Sequence, residues 1–222
     1  MEKEFTELSN YKVIQSICED ALANHLMIGV IGNPGLGKTV SLTAFKQKKQ
    51  KNVIYVTAQK SMTPKLFLTS VFKCYTGEII SSSIPANIVL KMVVELFSRT
   101  NEKKLLIIDD AQKITPKMLK YLNEIRNSTK NNNGIVLSSL EYFRSNLEKR
   151  MNLGNTDISE FYNNINYWQV LSVPTKDDIL LILKKYGITD KDFIAACLSV
   201  KSYSELIARI KKYLYNKSNN AE

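Results

Sequence analysis

The sequence predicts an α/β fold: a parallel five-stranded sheet with helices on both faces, followed by a small C-terminal helical unit. Three observations predict it. Short apolar runs alternate with helix-compatible segments. A glycine-rich turn joins the first run to its helix. After Pro174 the pattern is helical only.

The elements follow in order. Ser9 or Asn10 is expected to cap a helix running to about Asn24, with Val13, Ile14, Ile17, Ala21 and Leu22 on one face. Leu26 to Ile31 is the first strand, and a helix spans Thr39 to Lys48. Asn52 to Thr57 is the second strand. Thr63-Pro64 starts a helix that Gly77 stops, and Pro85 starts one reaching about Arg99, with Ile88, Val89, Met92, Val93 and Leu96 as its apolar positions. Lys104 to Asp110 is the third strand. Thr115-Pro116 opens a helix to about Asn127, and Lys130 to Gly134 reads as a turn. Ile135 to Ser138 is strand four, Leu140 to Arg150 a helix, Asn152 to Asn155 a loop, and Tyr167 to Leu171 strand five. Helices are expected over Thr175–Tyr186, Asp190–Leu198 and Ser202–Tyr215. Thr175 and Asp178 form a box-like cap, Gly187 closes the first helix, and Asn216 to Glu222 are expected to fray. The domain division is 1–173 for the α/β core and 174–222 for the helical lid.

The turn Gly32-Asn33-Pro34-Gly35-Leu36-Gly37-Lys38-Thr39 has two glycines flanking four residues, then Lys-Thr. Glycines let such a loop curl its N–H groups around phosphate oxygens, and the helix start adds its positive dipole end. The expected phosphate-binding set is Gly32, Asn33, Pro34, Gly35, Leu36, Gly37, Lys38, Thr39 and Val40. Lys38 is expected to supply a point charge to the outer phosphates, and the Thr39 hydroxyl is expected to hold Mg²⁺. Lys104 to Asp110 reads as a buried strand ending in two carboxylates. Asp109 is expected to position Mg²⁺ and Asp110 to orient the attacking water. Two adjacent carboxylates repel, and a cation gives the pair a physical reason to exist.

Composition bounds the rest. The chain has 222 residues, 44% hydrophobic and 23% charged, which suits one sizeable core. No apolar run is long enough to span a bilayer, and the polar start Met1-Glu2-Lys3-Glu4 carries no secretory pattern, so a cytoplasmic protein without membrane partners is expected. Cys18, Cys74 and Cys197 are far apart in apolar helical patterns and read as buried thiols in a reducing compartment. The single histidine, His25, makes a zinc site implausible and reads as structural. The formal net charge of +10, spread over lysine runs such as Lys46–Lys51, favours a polyanionic partner.

Taken together, the phosphate loop, the Asp-Asp strand, a polar residue ending strand four and the helical lid resemble AAA+ ATPases. Within them, Leu106 to Gln112 and Leu171 to Ile179 resemble the transposition regulators of the MuB/TnsC/TniB type. The likeness runs from about Asn10 to Leu214. It implies a P-loop AAA+ core that binds ATP with Mg²⁺, hydrolyses it, oligomerises on double-stranded DNA as a ring or helical filament, and directs a DDE-type transposase to its target. It implies that Ser138 or Ser139 contacts the γ-phosphate or the water. It also implies that an arginine completes a neighbour's site, and that Lys60 and Lys65, after strand two, contact DNA.

Three departures stand out. Asp110 replaces the usual glutamate and is one methylene shorter. Asn163-Asn164 occupy the place of the trans-acting arginine, leaving Arg150 and Arg144 as candidates. Lys201 to Glu205 offer no lid arginine, and Arg209 lies one turn later. The larger phage proteins carry a separate DNA-binding region that this chain lacks, so DNA is expected to be gripped by the core. A helicase-loader-like ATPase acting on a protein is the alternative. A small-molecule kinase ranks third, because the lid is rich in lysine and apolar residues instead of arginine.

Overall fold

The computed structural model describes residues 8–99 and 103–219. Its sheet has five parallel strands: β1 (Met27–Ile31), β2 (Val53–Thr57), β3 (Lys104–Asp109), β4 (Asn133–Ser139) and β5 (Tyr167–Val170), in the order β2-β3-β4-β1-β5. Every carboxyl end therefore lies along one rim. Insertion of β4 between β1 and β3 sets the loop after β1 across from the acidic end of β3.

Helices α1 (Ser9–Asn24) and α2 (Lys38–Lys48) cover one face. There Ile14, Ile17, Leu42 and Phe45 pack on Val30, Ile107 and Val136. The other face carries α3 (Pro64–Thr76), α4 (Ala86–Arg99), α5 (Pro116–Thr129), α6 (Glu141–Asn152) and α7 (Thr156–Asn163). Phe67, Phe97, Leu122 and Phe161 pack there on Leu106, Ile108 and Leu137. The C-terminal helices are α8 (Lys176–Lys185), α9 (Lys191–Cys197) and α10 (Tyr203–Asn219). Their core of Ile179, Ile182, Leu206 and Ile210 is shared with Leu8, Tyr11 and Ala44, so apolar burial joins them to α1 and α2.

Local signals set many boundaries. Thr63 and Thr115 cap α3 and α5, each with proline at the first turn. Thr175 and Asp178 form a reciprocal capping box on α8. Gly77 ends α3 at φ 80° and Gly187 follows α8 at φ 68°, both in the left-handed region that glycine enters without strain. His25 ends α1 at φ 55°, and its carbonyl accepts from Arg126 Nη1 at 2.7 Å, a structural role.

Several expectations need correction. Neither Ser9 nor Asn10 caps α1 through its own side chain. Ser9 donates its N–H (2.8 Å) and hydroxyl (3.1 Å) to Asp178, and Asn10 Nδ2 donates to the Ser172 carbonyl at 2.8 Å. The cap arrives from a remote carboxylate, which sequence-local reasoning does not see.

Strand β4 starts at Asn133, inside the expected turn. The Asn133 amide replaces solvent by donating to the Phe97 carbonyl (2.8 Å) and accepting from Lys104 N (3.2 Å). Gly134 is needed because a Cβ there would lie 2.1 Å from the Ala21 carbonyl oxygen.

Helix α7 fills part of the span between the expected loop and strand five, capped by Asn155. The buried face of α4 is Val89, Leu90, Val93 and Phe97, whereas Ile88 is exposed. Cys18 and Cys197 are buried, but Cys74 is exposed on α3, its thiol donating to the Tyr55 carbonyl of β2 at 3.3 Å. Helix α10 continues through Asn219, past the expected fraying point; residues 220–222 lie outside the described residues. No helix among the described residues is long and apolar enough to cross a membrane.

Asp178 is 3% exposed and accepts from Ser9, Thr175 and Tyr203. Burial works to raise its pKa, but hydrogen bonds from Ser9, Thr175 and Tyr203 outweigh it and hold it below the ordinary value. A depressed carboxyl contributes stability above its unfolded pKa of about 4, and that contribution is lost as pH falls through the folded value. Asp178→Asn is expected to lower stability at neutral pH by about 1–3 kcal/mol and to flatten the loss of stability below about pH 4. Urea unfolding of both proteins at several pH values checks this; parallel acid profiles would contradict it.

Candidate functional site: a phosphate loop facing a strand-end carboxylate

The loop after β1 is built by its glycines. Gly35 (φ 80°) and Gly37 (φ 84°) both adopt left-handed backbone, and Gly37 is the residue that caps α2. Gly32 N–H donates to the Ser139 carbonyl at 3.3 Å, which fastens the loop to the end of β4. Leu36 is buried against the α1 and α2 layer, while Val40 is 51% exposed. Lys38 Nζ donates to the Gly32 (2.5 Å) and Asn33 (3.0 Å) carbonyls. Burial lowers its pKa, opposed by the charges of Asp109 and Asp110.

Thr39 Oγ donates to Asp109 Oδ2 at 2.7 Å, joining the first turn of α2 to the end of β3. Tyr55 Oη donates to the same oxygen at 2.8 Å, and Asp110 N–H to Asp109 Oδ1 at 2.9 Å. Asp109 is 2% exposed, so these three donors replace water around a buried carboxylate. Burial and the neighbouring Asp109 charge raise the Tyr55 phenol.

Asp110 turns away in left-handed backbone (φ 57°), a conformation that Asp tolerates better than most residues. Its oxygens accept from Gln112 Nε2 (2.9 Å) and Lys113 Nζ (2.6 Å). Burial works to raise its pKa, but the bonds from Lys113 and Gln112 and the charges of Lys113 and Lys38 bring it below the ordinary value. Gln112 also accepts from Leu140 N–H at 3.3 Å, tying Asp110 to the start of α6.

Alternation along β4 puts Ser138 on the face of Val136, toward α1 and α2, and Ser139 on the opposite face with Leu137. Both hydroxyls are buried and have no hydrogen-bond partner. Two orphaned donors at the rim suit a polar ligand.

A cleft of about 380 Å³ is bounded by Lys38, Thr39, Asp110, Gln112, Leu140 and Ser204. A second cavity, of about 350 Å³, lies behind the loop among Leu8, Tyr11, Val40, Tyr203, Ile207 and Ala208. The start of α10 separates them: Tyr203 and Ser204 N–H groups donate to the Gly35 carbonyl at 3.0 and 3.3 Å. This apolar pocket draws residues from segments near both ends of the chain, so no local sequence pattern marks it. Tyr55 and Lys113 carry no site signal in the sequence, and Gln112 shows there only as the end of the Asp-Asp-Ala-Gln resemblance. Tyr55 shows only as an aromatic in a strand, and the strand register alone brings it to Asp109.

The donor set fits a divalent cation with phosphate. Thr39 and Asp109 are hard oxygen donors in contact beside a loop of free N–H groups. Two such protein ligands suit Mg²⁺, which keeps phosphate and water oxygens in its shell.

Other expected residues lie elsewhere. Arg150 is exposed in the last turn of α6. Arg144 pairs with Glu148 at 2.8 Å. Asn164, in the arginine's expected place, donates to Asn123 (2.6 Å) and Asn127 (2.9 Å) and holds α7 to α5. Arg209 binds Glu205 (2.7 Å) and the Ala196 carbonyl (2.6 Å) within the C-terminal helices. Lys60 is exposed after β2, and the Lys65 amine is held by the Ser82 carbonyl.

A family model described as the AAA domain matches residues 22–147. No curated protein matches the sequence. Among solved structures, Cdc6p from Pyrobaculum aerophilum aligns with a TM-score of 0.61 at 18% identity, over 83% of this chain and 52% of that one. The Aeropyrum pernix ORC1 protein, solved in complex with DNA, gives 0.67 at 16% identity over 95% and 60%. The replication initiator DnaA, bound to AMPPCP and single-stranded DNA, gives 0.61 at 18% over 95% and 64%. At these identities the likeness is one of fold. The chain spans 52–64% of the length of these three structures.

A Cβ at Gly35 would lie 2.8 Å from Ser204 Oγ, in left-handed backbone. Gly35→Ala is expected to cost about 1–2 kcal/mol and to loosen the start of α10. Hydrogen exchange at the Tyr203 and Ser204 amides reads this directly; unchanged protection would contradict it.

Proposed function

The chain belongs to the AAA domain family, and on that premise we propose that it is a Mg²⁺-dependent ATPase whose nucleotide state controls its assembly on duplex DNA. The observation that carries the reading is the 2.7 Å bond between Thr39 and Asp109 beside the glycine loop. It joins the motif that binds phosphate to the carboxylate that positions a metal.

The roles follow from the geometry. The loop amides from Gly35 to Thr39 receive the phosphates, and Lys38 exchanges its two carbonyl partners for the outer phosphate oxygens. Thr39 and Asp109 hold Mg²⁺, which neutralises charge on the phosphates. The apolar cavity at Leu8, Tyr11 and Ile207 takes the base. Ser138 supplies a hydroxyl at the end of β4. Asp110 orients the attacking water and receives its proton as the bond from the γ-phosphorus to the bridging oxygen breaks, leaving ADP and phosphate. Its bond to Lys113 must open first, which favours slow turnover. The core, residues 1–173, carries the phosphate loop, and the lid, 174–222, closes the base pocket.

DNA is supported as partner by the net charge of +10 and by exposed Lys60 after β2. Lys65 joins the contact if DNA draws it from Ser82. In the finer reading, copies assemble as a ring or filament, Arg150 completes a neighbour's site, and the assembly directs a DDE-type transposase. The Asp109-Asp110-Ala111-Gln112 box supports that resemblance. A second reading is a helicase-loader-like switch acting first on a protein, which the Asp109-Asp110 pair also suits.

Lys38→Ala is expected to lose ATP binding at least tenfold, and Asp110→Asn to keep binding while turnover falls by 10²-fold or more, of the order seen when general-base catalysis is removed. Equilibrium binding of a fluorescent ATP analogue and phosphate release measure both. Unchanged affinity in folded Lys38→Ala would refute the assignment.

ATP is expected to strengthen binding to duplexes of any sequence, with affinity falling steeply as salt rises. Replacing Lys60 and Lys65 with alanine should make the salt slope shallower by about 1–2 in log–log terms. Binding indifferent to ATP would favour the protein-first reading.

A further inference from the structure

The geometry points to Tyr55 as a positioning residue for the divalent cation, acting through the Asp109 carboxylate; the inference rests on the ATPase reading of the same site. Tyr55 lies on β2 opposite Ile107, and Thr57 lies opposite Asp109. Two residues of parallel strand span about 6.6 Å, which is the reach of a tyrosine side chain. The ring therefore lies along the strand, on the α2 side, and delivers its hydroxyl to Asp109 Oδ2 at 2.8 Å. The Lys46 ammonium, 5.6 Å from the ring centroid, flanks the ring from α2.

Packing does not require the hydroxyl. Tyr55 packs against an apolar cluster containing Val30, Leu42 and Ile107, where phenylalanine would fill the same space. The hydroxyl, which also has side-chain hydrogen bonds with Thr43 and Thr57, donates to one carboxylate that is 2% exposed and has two other donors, Thr39 and the Asp110 N–H. Thr39 is itself a proposed metal ligand. The Asp110 N–H moves with the backbone of the residue that orients water. Tyr55 is the donor that belongs to neither duty, so it fixes the Asp109 plane whether or not a cation is held. Outer-shell donors of this kind orient metal-binding carboxylates, and their loss typically weakens metal binding 10–100-fold.

The test is Tyr55→Phe in the full chain, read by Mn²⁺ titration of the ATP-analogue complex with paramagnetic resonance. Melting curves and nucleotide affinity in EDTA are measured alongside. Mn²⁺ affinity is expected to fall about tenfold, while nucleotide affinity in EDTA stays within about twofold of the parent. Asp109→Asn with and without Tyr55→Phe should bind Mn²⁺ equally weakly, because Tyr55 acts through Asp109. Mn²⁺ affinity equal to the parent's in Tyr55→Phe, at any melting temperature, would overturn the inference and leave the bond as a stabilising contact only. Additive losses in the double variant would overturn it too. Nucleotide affinity of Lys38→Ala equal to the parent's would overturn the ATPase reading and this inference together; a Lys38-dependent site with normal Mn²⁺ binding in Tyr55→Phe overturns the inference alone.

Discussion

The buried Asp178 carboxylate is the constraint on which the arrangement of the molecule depends. It caps α1 through Ser9, closes the capping box of α8 through Thr175, and accepts the Tyr203 hydroxyl at the start of α10. Three helix starts thus converge on one charge: Ser9 and Thr175 supply backbone N–H groups that α-helical bonding leaves free, and Tyr203 supplies its side-chain hydroxyl. A carboxylate at 3% exposure without those donors would carry a large desolvation cost. Tyr203 then passes the constraint to the phosphate loop, because its own N–H donates to the Gly35 carbonyl. The C-terminal helices and the loop are therefore coupled through a continuous chain of hydrogen bonds, from Ser9 to Gly35. A ligand that moves the loop acts directly on the start of α10.

Three of the chemistry-bearing side chains are engaged within the chain. Lys38 is held by its own loop, Thr39 by Asp109, and Asp110 by Lys113 and Gln112. These bonds keep charged groups solvated by protein at a rim where burial works against them. They also define what phosphate must displace. Lys38 gains by the exchange, since two carbonyl dipoles are weaker partners than charged phosphate oxygens. Asp110 has the opposite situation, because its Lys113 partner is already a full charge. In the proposed mechanism, nucleotide binding is therefore the easier event and freeing Asp110 the harder one.

Much of this was legible in the sequence. Gly35, Gly37 and Lys38 declare the loop, since a left-handed turn followed by a helix start leaves little choice of residue. The apolar run Leu105–Ile108 before Asp109 declares a central strand ending at the site. Thr63-Pro64, Thr115-Pro116 and the Thr175–Asp178 box mark helix starts through bonds that span only three residues. Asn133 and Gly134 misled for a physical reason: they have turn composition, yet buried partners on Phe97, Lys104 and Ala21 make them strand. Asn164 is similar, since only its contacts with Asn123 and Asn127 explain an amide where the resemblance expects an arginine.

The sequence by itself determined the alternation of strand and helix, the phosphate loop and the acidic strand end, because each depends on neighbours within a few positions. The tertiary structure alone decided the strand order, the apolar cavity shared by Leu8, Tyr11 and Ile207, and the meeting of Tyr55 with Asp109. Those features depend on sheet register and on packing between segments as far apart as Ser9 and Asp178, 169 positions along the chain. Local pattern carries no information at that range, because any donor of the right shape would read the same until the fold selects one.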